Sequence, residues 1–215
     1  MMSLRVLTIA AACVAAVAAP VGAVIGPAAE QLKGAIDRVL KVLEDPNYKG
    51  AGRQVQRRVA VRKIADDIFD FPEVARRSLG RHWQALSEKQ REEFTGLFSD
   101  LLERSYISKI ELYGGEKITY LAERVDGDVA TVPTRFLSKS GAEIPVDYRM
   151  LKRGDKWLVY DVNIEGVSLV SNYRTQFNKI IQTSSYNDLV QKLRNEQIEI
   201  TTDDKSKDKA EPAKK

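Results

Sequence analysis

The sequence predicts an α+β fold, in which a curved four-stranded antiparallel meander sheet packs against N- and C-terminal helices. The spacing of apolar residues is helical up to Gly115, alternates between Lys117 and Ile164, and is helical again afterwards. The four alternating runs are joined by Asp-Gly, Ser-Gly and Gly-Asp pairs, which are typical of tight turns. A chain of 215 residues, 43% hydrophobic and 30% charged, suffices for one folded domain with a sizeable core.

The first 23 residues have the pattern of a secretory signal peptide. Arg5 precedes an apolar run over residues 6–19, Pro20 ends that run, and small residues follow. The run is shorter than the ~20 apolar residues that a membrane-spanning helix needs. We therefore expect residues 1–23 to be removed on export. The only cysteine, Cys13, lies in this segment, so the exported chain would have neither disulfides nor a thiol nucleophile.

Four helices are predicted before the sheet, and their boundaries have local signals. Pro72 suits the first turn of the third helix, and Gly80 suits its end. Ser87 and Gln90 form a capping-box pattern at the start of the fourth helix. The predicted helices cover residues 28–43, residues 53–68, the segment from Pro72 to Gly80, and a long segment from Ser87 to Gly114.

The four predicted strands cover residues 117–125, 128–138, 142–152 and 156–164. Pro133 and Pro145 interrupt two of these runs, and because proline lacks an N–H donor we expect them at edges or bulges where the sheet bends. The helical spacing returns after Gly166, and a last helix is predicted to open at Ser184 or Ser185. Residues 201–215 are charged and lack large apolar side chains, which indicates a disordered tail after a single domain over residues 28–200.

Residue chemistry gives weak support for catalysis. Asp161 and Glu165 lie at the end of the last strand, and His82 is the only histidine, so a hydrolase or isomerase built on these side chains is one hypothesis. Packing and capping roles are the alternative. The sequence contains no nucleophile elbow, phosphate loop or metal-ligand spacing. A formal charge of +4 with both signs interspersed gives no reason to expect a nucleic-acid partner.

The stronger signal is a surplus of apolar and aromatic residues on the predicted helix faces and on one face of the sheet. Periodicity alone does not distinguish a filled core from a core that is left open for an apolar ligand. An exported adaptor with a filled core and a functional surface therefore stays a second alternative, beside an enzyme with a cone-shaped α+β cavity.

Three segments resemble the MlaC family, also known as the toluene-tolerance auxiliary proteins. They are FPEVARRSLGRHW (residues 71–83), LLERSYISKIELYGG (residues 101–115) and WLVYDVNIEGVSLVSNYRTQF (residues 157–177). The junction around EGVS is the most specific of them, and the resemblance extends over about residues 30–198. A hopanoid-associated branch of the family has similar features.

The resemblance implies a periplasmic carrier, not an enzyme, whose cargo is a phospholipid and which needs no cofactor or metal. It implies an apolar cavity between the curved sheet and the helices, with the acyl chains inside and the head group near solvent. The implied partners are an inner-membrane ABC transporter complex with a lipid-handling ring and an outer-membrane lipoprotein–porin complex. Outer-membrane lipid asymmetry and toluene tolerance are the processes that the family implies.

Applied to this sequence, the resemblance predicts a cavity lining drawn from the helices and from the sheet. Arg81 and Arg104 are the residues expected near the phosphate of the head group. The predicted apolar lining consists of Phe98, Leu101, Leu102, Tyr106, Tyr148, Met150, Tyr160, Val162, Ile164, Val167, Leu169 and Val170.

Overall fold

A computed structural model describes residues 25–50, 52–138 and 141–198. The predicted signal peptide and the charged tail lie outside these residues. Within them, no helix combines the length and the apolar character needed to span a membrane. The six α-helices are α1 (Pro27–Glu44), α2 (Gln54–Ile68), α3 (Phe71–Leu79), α4 (Glu88–Glu111), α5 (Leu169–Thr183) and α6 (Tyr186–Arg194).

The predicted α+β fold is confirmed, but the described sheet has six strands instead of four. All pairings are antiparallel, in the order β1-β3-β4-β5-β6, with β2 also paired to β3. The strands are β1 (Lys117–Tyr120), β2 (Arg124–Asp126), β3 (Val129–Leu137), β4 (Glu143–Arg153), β5 (Lys156–Ile164) and β6 (Val167–Ser168).

Pro133 explains why the first predicted strand is divided into β1 and β2. The Leu121 N–H donates to the Pro133 carbonyl at 3.0 Å, but proline has no N–H to return the bond. The ladder between β1 and β3 therefore stops there and resumes at β2. Pro145 has the same effect on the other side: its carbonyl accepts from the Glu165 N–H at 3.0 Å, and the β4–β5 ladder ends.

A β-bulge in β5 changes which side chains face the helices. Arg149 pairs with Asp161 and Met150 pairs with Val159, so Tyr160 is an additional residue without a partner on β4. Before the bulge, Val159 faces α1; after it, Val162 faces α1 although it is three residues further along. Strict alternation, which the sequence analysis assumed, would have placed Tyr160 on the same face as Val162.

Helix α1 lies across this face of the sheet and is attached to it by two long-range contacts. The Glu123 carboxylate accepts from the Ala29 N–H at 2.6 Å and so caps the first turn of α1. The Gln31 side chain accepts from the Trp157 N–H at 2.9 Å and donates to the Trp157 carbonyl at 2.7 Å. Both contacts are near the N-terminal end of the helix, and Arg38 in its C-terminal half pairs with Asp67 of α2 at 3.0 Å.

Most of the buried apolar residues that the structure describes belong to one of two separate clusters. The sheet-side core joins α1 and α2 to the inner face of the sheet, and its fully buried members include Ala130, Val132 and Met150. The helical core joins α3, α4, α5 and α6. In the helical core, the Phe98 ring lies 5.0 Å from the Tyr173 and Phe177 rings, centroid to centroid, in edge-to-face geometry.

We expect Phe98→Ala to lower the free energy of unfolding by about 3–5 kcal/mol, because truncating a buried aromatic leaves a cavity. Urea unfolding followed by circular dichroism measures the change. The matched control is Leu112→Ala, a residue that is 79% exposed, for which a change within about 0.5 kcal/mol is expected. A loss below ~1 kcal/mol for Phe98→Ala would mean that the helical core is not closed around this ring.

Candidate functional site

The sheet and the C-terminal helices are joined by a tight hairpin. Glu165 and Gly166 have φ values of 51° and 88°, which is the left-handed geometry of a two-residue type I′ turn. The short strand β6 follows, pairing with the end of β5, and helix α5 begins immediately at Leu169. The EGVS junction that the sequence analysis singled out is therefore a tight reversal of the chain followed directly by a helix.

Asp161 anchors this junction from within β5. Its carboxylate accepts from the Val170 N–H at 3.1 Å and from the Ser168 hydroxyl at 2.7 Å, and it pairs with Arg149 at 3.3 Å. Ser168 in turn caps α5 by accepting from the Ser171 N–H. Asp161 is 4% exposed, and these contacts occupy both of its oxygens, so the carboxylate holds the start of α5 against the sheet.

Beside this junction, the sheet-side core is incompletely covered. Partly buried apolar side chains from α1, the sheet and the start of α5 pack against it, and we name a set of eight of them the apolar stripe. The β3–β4 register sets Phe136 beside Ile144, and the β4–β5 register sets Ile164 beside the buried Val146. The stripe consists of Ile36, Val39 and Val42 from α1, Phe136, Ile144, Tyr148 and Ile164 from the sheet, and Leu169 from the start of α5.

Three tyrosine hydroxyls are buried without a hydrogen-bond partner among the described residues: those of Tyr106, Tyr120 and Tyr173. The hydroxyls of Tyr106 and Tyr173 are neighbours, although they do not meet hydrogen-bond geometry. Burial raises the pKa of each of these phenols, so all three stay protonated donors at neutral pH. Unpaired donors inside a protein are costly, and a ligand with acceptor oxygens would lower that cost.

The predicted lining residues are distributed over several environments. Tyr148, Ile164 and Leu169 lie on the apolar stripe, and Met150 and Val162 lie beneath it in the sheet-side core. Val167 is 53% exposed at the hairpin, and Tyr106 is partly buried on α4. The residues that the structure places in or against the helical core are Phe98, Leu101, Leu102 and Val170.

Tyr160, which was predicted to line the cavity, lies against Arg77 and not on the apolar stripe. Because of the bulge, its ring lies under the guanidinium of Arg77, with the Arg77 carbon 4.0 Å from the ring centroid. The ring is 8% exposed and belongs to neither apolar cluster. Lipid contact by any of the predicted lining residues, and an enclosed cavity between sheet and helices, stay predictions.

Sequence reasoning omitted five members of the stripe: Ile36, Val39, Val42, Phe136 and Ile144. Ile36 and Val39 were visible as part of the apolar face of the first helix, and Ile144 as part of an alternating strand. Nothing in those local patterns shows which helix covers which part of the sheet. The α1–sheet contacts of Gln31 and Glu123, far apart in sequence from their partners, decide that.

The two arginines predicted near a head group have ordinary partners in the described structure. Arg81 donates to the Asn178 side-chain oxygen at 3.0 Å, and Arg104 lies 3.6 Å from a carboxylate oxygen of Glu196. His82 contacts the same Asn178 oxygen at 2.9 Å.

The side chains of the catalytic hypothesis are not brought together as a reacting group. Asp161 caps α5, Glu165 occupies the exposed hairpin turn, and His82 bonds to the side of α5. Among the described residues there is no cluster of acidic, histidine or cysteine side chains that could hold a metal ion.

The comparisons with known proteins agree with this architecture. The family model described as MlaC protein matches residues 33–195. The chain belongs to the MlaC family. This confirms the resemblance that the sequence motifs indicated.

Two MlaC-family relatives give the comparison more detail. One is the intermembrane phospholipid transport system binding protein MlaC of Haemophilus influenzae, which is 25% identical over 158 residues, covering 71% of this chain and 70% of the relative. The other is the phospholipid-binding protein from Ralstonia solanacearum, solved in complex with a phospholipid at 1.53 Å. It is 26% identical with a TM-score of 0.69, and the match covers 79% of this chain and 96% of that chain.

A carboxylate that is itself buried, Glu73, pairs with arginines of α3 beside this site. The Glu73 carboxylate accepts from Arg76 at 2.6 and 2.7 Å and from Arg77 at 2.7 Å, and Arg153 lies 3.7 Å away. Hydrogen bonds from Arg76 and then Arg77, opposed by desolvation, lower the pKa of Glu73 from 4.5 to about 2. The ionised carboxylate therefore stabilises the folded state.

We expect Glu73→Gln to lower the free energy of unfolding at pH 7 by on the order of 1–3 kcal/mol, since the arginines are partly exposed and screened by water. The pKa of Glu73 is lower in the folded state than in the unfolded state. The difference in unfolding free energy between the wild-type chain and Glu73→Gln should therefore have its full size above pH 4.5 and shrink as the pH falls towards about 2. Urea midpoints between pH 2 and 7 measure it. Glu92→Gln is the control, because Glu92 is exposed and forms no ion pair within the described part of the chain. A pH-independent difference would contradict the assignment.

Proposed function

We propose that this chain is a phospholipid carrier whose acyl chains lie on the apolar stripe between α1 and the sheet. The observation that carries the proposal is a row of partly buried apolar side chains beside a closed helical core, in a fold that matches a phospholipid-bound structure. The name of the Haemophilus relative, which includes intermembrane phospholipid transport, supports the same function.

The energetics explain why such a protein needs an open apolar surface and no reaction chemistry. Two acyl chains with ~30 methylenes would cost on the order of 20 kcal/mol in water, at ~0.8 kcal/mol per methylene. A bilayer provides equal burial, so the carrier only has to match it. The free energy of net transfer is then a small difference between two large burial free energies, one in the bilayer and one in the carrier. Docking or ATP use by partner complexes can bias that difference.

The proposal includes the location and the partners that the family implies. The carrier would act in the periplasm after removal of the signal peptide, and would exchange lipid with an inner-membrane ABC transporter complex and an outer-membrane lipoprotein–porin complex. The finding that no described helix could span a membrane is compatible with a carrier that moves between the two membranes.

Leu169→Asp tests the apolar stripe at a position where the fold should tolerate the change. Leu169 is the first residue of α5, and an acidic side chain in the first turn of a helix is favourable. A charge on the stripe would instead be unfavourable beside hydrocarbon. We expect the variant to keep its helical content but to lose bound phospholipid, about tenfold or more, since a desolvated charge costs over ~1.4 kcal/mol.

Native mass spectrometry of the protein purified from cells, followed by lipid extraction, provides the measurement. Leu112→Asp, which introduces the same charge at an exposed site, should retain lipid at the level of the wild-type chain. Full lipid occupancy in folded Leu169→Asp would show that the acyl chains lie elsewhere. A wild-type chain without phospholipid, whose melting temperature does not change when lipid is added, would favour the adaptor hypothesis and overturn the proposal.

A further inference from the structure

On the sheet face opposite to the apolar stripe, a depression opens between β4, β5, α3 and α5. It has a volume of about 420 Å³, and we name it the arginine pocket because Arg76, Arg77, Arg149 and Arg174 line it. Arg149 and Asp161 are cross-strand partners, and their neighbours Tyr148 and Val162 face the sheet-side core. The pocket is therefore separated from the apolar stripe by the thickness of the sheet.

The positive charges of the pocket are only partly balanced. Arg76 and Arg77 share the Glu73 carboxylate, and Arg149 pairs with Asp161. Arg153, which also approaches Glu73, has its own partner in Asp70 at 2.9 Å. The four lining guanidinium groups therefore face two carboxylates. The oxygens of Asp161 are already occupied by Ser168, Val170 and Arg149, so this acid provides no further acceptor.

Arg174 is the lining arginine that has no carboxylate partner among the described residues. Within the described part of the chain its guanidinium makes no hydrogen bond, ion pair or ring contact, although its side chain lines the pocket. Its stem passes Gly80, where an added Cβ would lie 3.4 Å from the Arg174 Cδ, an ordinary van der Waals distance. Gly80 has a φ of 55° at the end of α3, and this positive φ is the reason that a glycine suits the turn.

Arg77 also has nitrogen atoms that can donate to a ligand in the pocket. Its Nε donates to Glu73 while its guanidinium lies over the Tyr160 ring, which leaves both terminal nitrogens without a described acceptor. Stacking on an aromatic ring fixes the plane of the guanidinium and reduces the entropy lost when a ligand binds. The bulge at Tyr160 is what places the ring there.

We propose that the arginine pocket is a second binding site, for a phosphate group. An excess of two positive charges matches a phosphate monoester, which carries up to two negative charges and three acceptor oxygens at neutral pH. The pocket volume is within the ~300–1,000 Å³ typical of small-molecule sites. The phosphate could belong to a lipid head group at a bilayer surface or to a soluble phosphate ester, and the site does not depend on phospholipid carriage by the stripe.

Titration calorimetry with sn-glycerol 3-phosphate tests the site without an acyl chain that could occupy the stripe. We expect the folded wild-type chain to bind it and Arg174→Gln to bind about tenfold more weakly, because one charge-assisted hydrogen-bonding group is lost. Arg174→Lys keeps the charge but not the planar fork and should bind with intermediate affinity. Arg124→Gln removes an equal charge from the exposed strand β2, outside the pocket, and is expected to bind like the wild-type chain.

A second arm identifies the source of the phosphate. Sedimentation with vesicles of phosphatidylcholine, with and without phosphatidic acid, whose head group is a phosphate monoester, should show wild-type binding that depends on the anionic lipid and on Arg174 if the source is a head group. Binding of the soluble ester without vesicle binding would support a soluble phosphate ester as the ligand. Lipid retained from cells should be unchanged in Arg174→Gln, which separates this site from the apolar stripe.

Three results would overturn the proposal. The first is equal affinity of the wild-type chain and Arg174→Gln for sn-glycerol 3-phosphate. The second is absence of binding of both probes at physiological salt. The third is binding of a polyglutamate peptide only, which would assign the pocket to an acidic protein partner.

Discussion

The architecture of this MlaC-family chain depends on one buried carboxylate. Burying an ionised aspartate is costly unless its oxygens are paired, and Asp161 meets that condition with a hydroxyl, a backbone N–H and a guanidinium. Reaching those partners requires Asp161 to face away from α1, while Val159 and Val162 of the same strand belong to the core that faces α1. The bulge at Tyr160 satisfies both requirements, because the additional residue reverses the alternation of the strand.

The contacts of Asp161 also determine which core each residue at the start of α5 joins. Because Asp161 holds the first turn of α5, Leu169 lies on the sheet-side core while the adjacent Val170 packs into the helical core. The helical core is closed by interlocking aromatic rings and supplies stability of its own. The sheet-side core can therefore leave an apolar row partly uncovered without the fold depending on it, which is the condition that a lipid carrier has to meet.

The two faces of the sheet also differ in charge. The inner face of the sheet is apolar, whereas Arg149 and Asp161 lie on the outer face, where α3 contributes its own arginines. Glu73 neutralises part of that charge, and Arg174 adds a positive charge that has no carboxylate partner among the described residues. The strand β4 thus presents the apolar Met150 to one side and the cationic Arg149 to the other.

The sequence by itself determined the type and order of the elements and the family. Helical and alternating periodicities, the capping box at Ser87 and the glycine at Gly80 are local signals, and the corresponding helices begin and end close to where they were expected. Of the residues that the family resemblance predicted for the cavity lining, Tyr148, Ile164 and Leu169 lie on the apolar stripe. Only the tertiary structure decided the division of the first strand at Pro133, the bulge at Tyr160 and the position of α1 over the sheet. These features depend on partners distant in the chain, such as Leu121 for Pro133, Arg149 for Asp161 and Trp157 for Gln31. Periodicity describes a residue's neighbours along one element, and it holds no information about which other element completes a hydrogen bond or covers an apolar face.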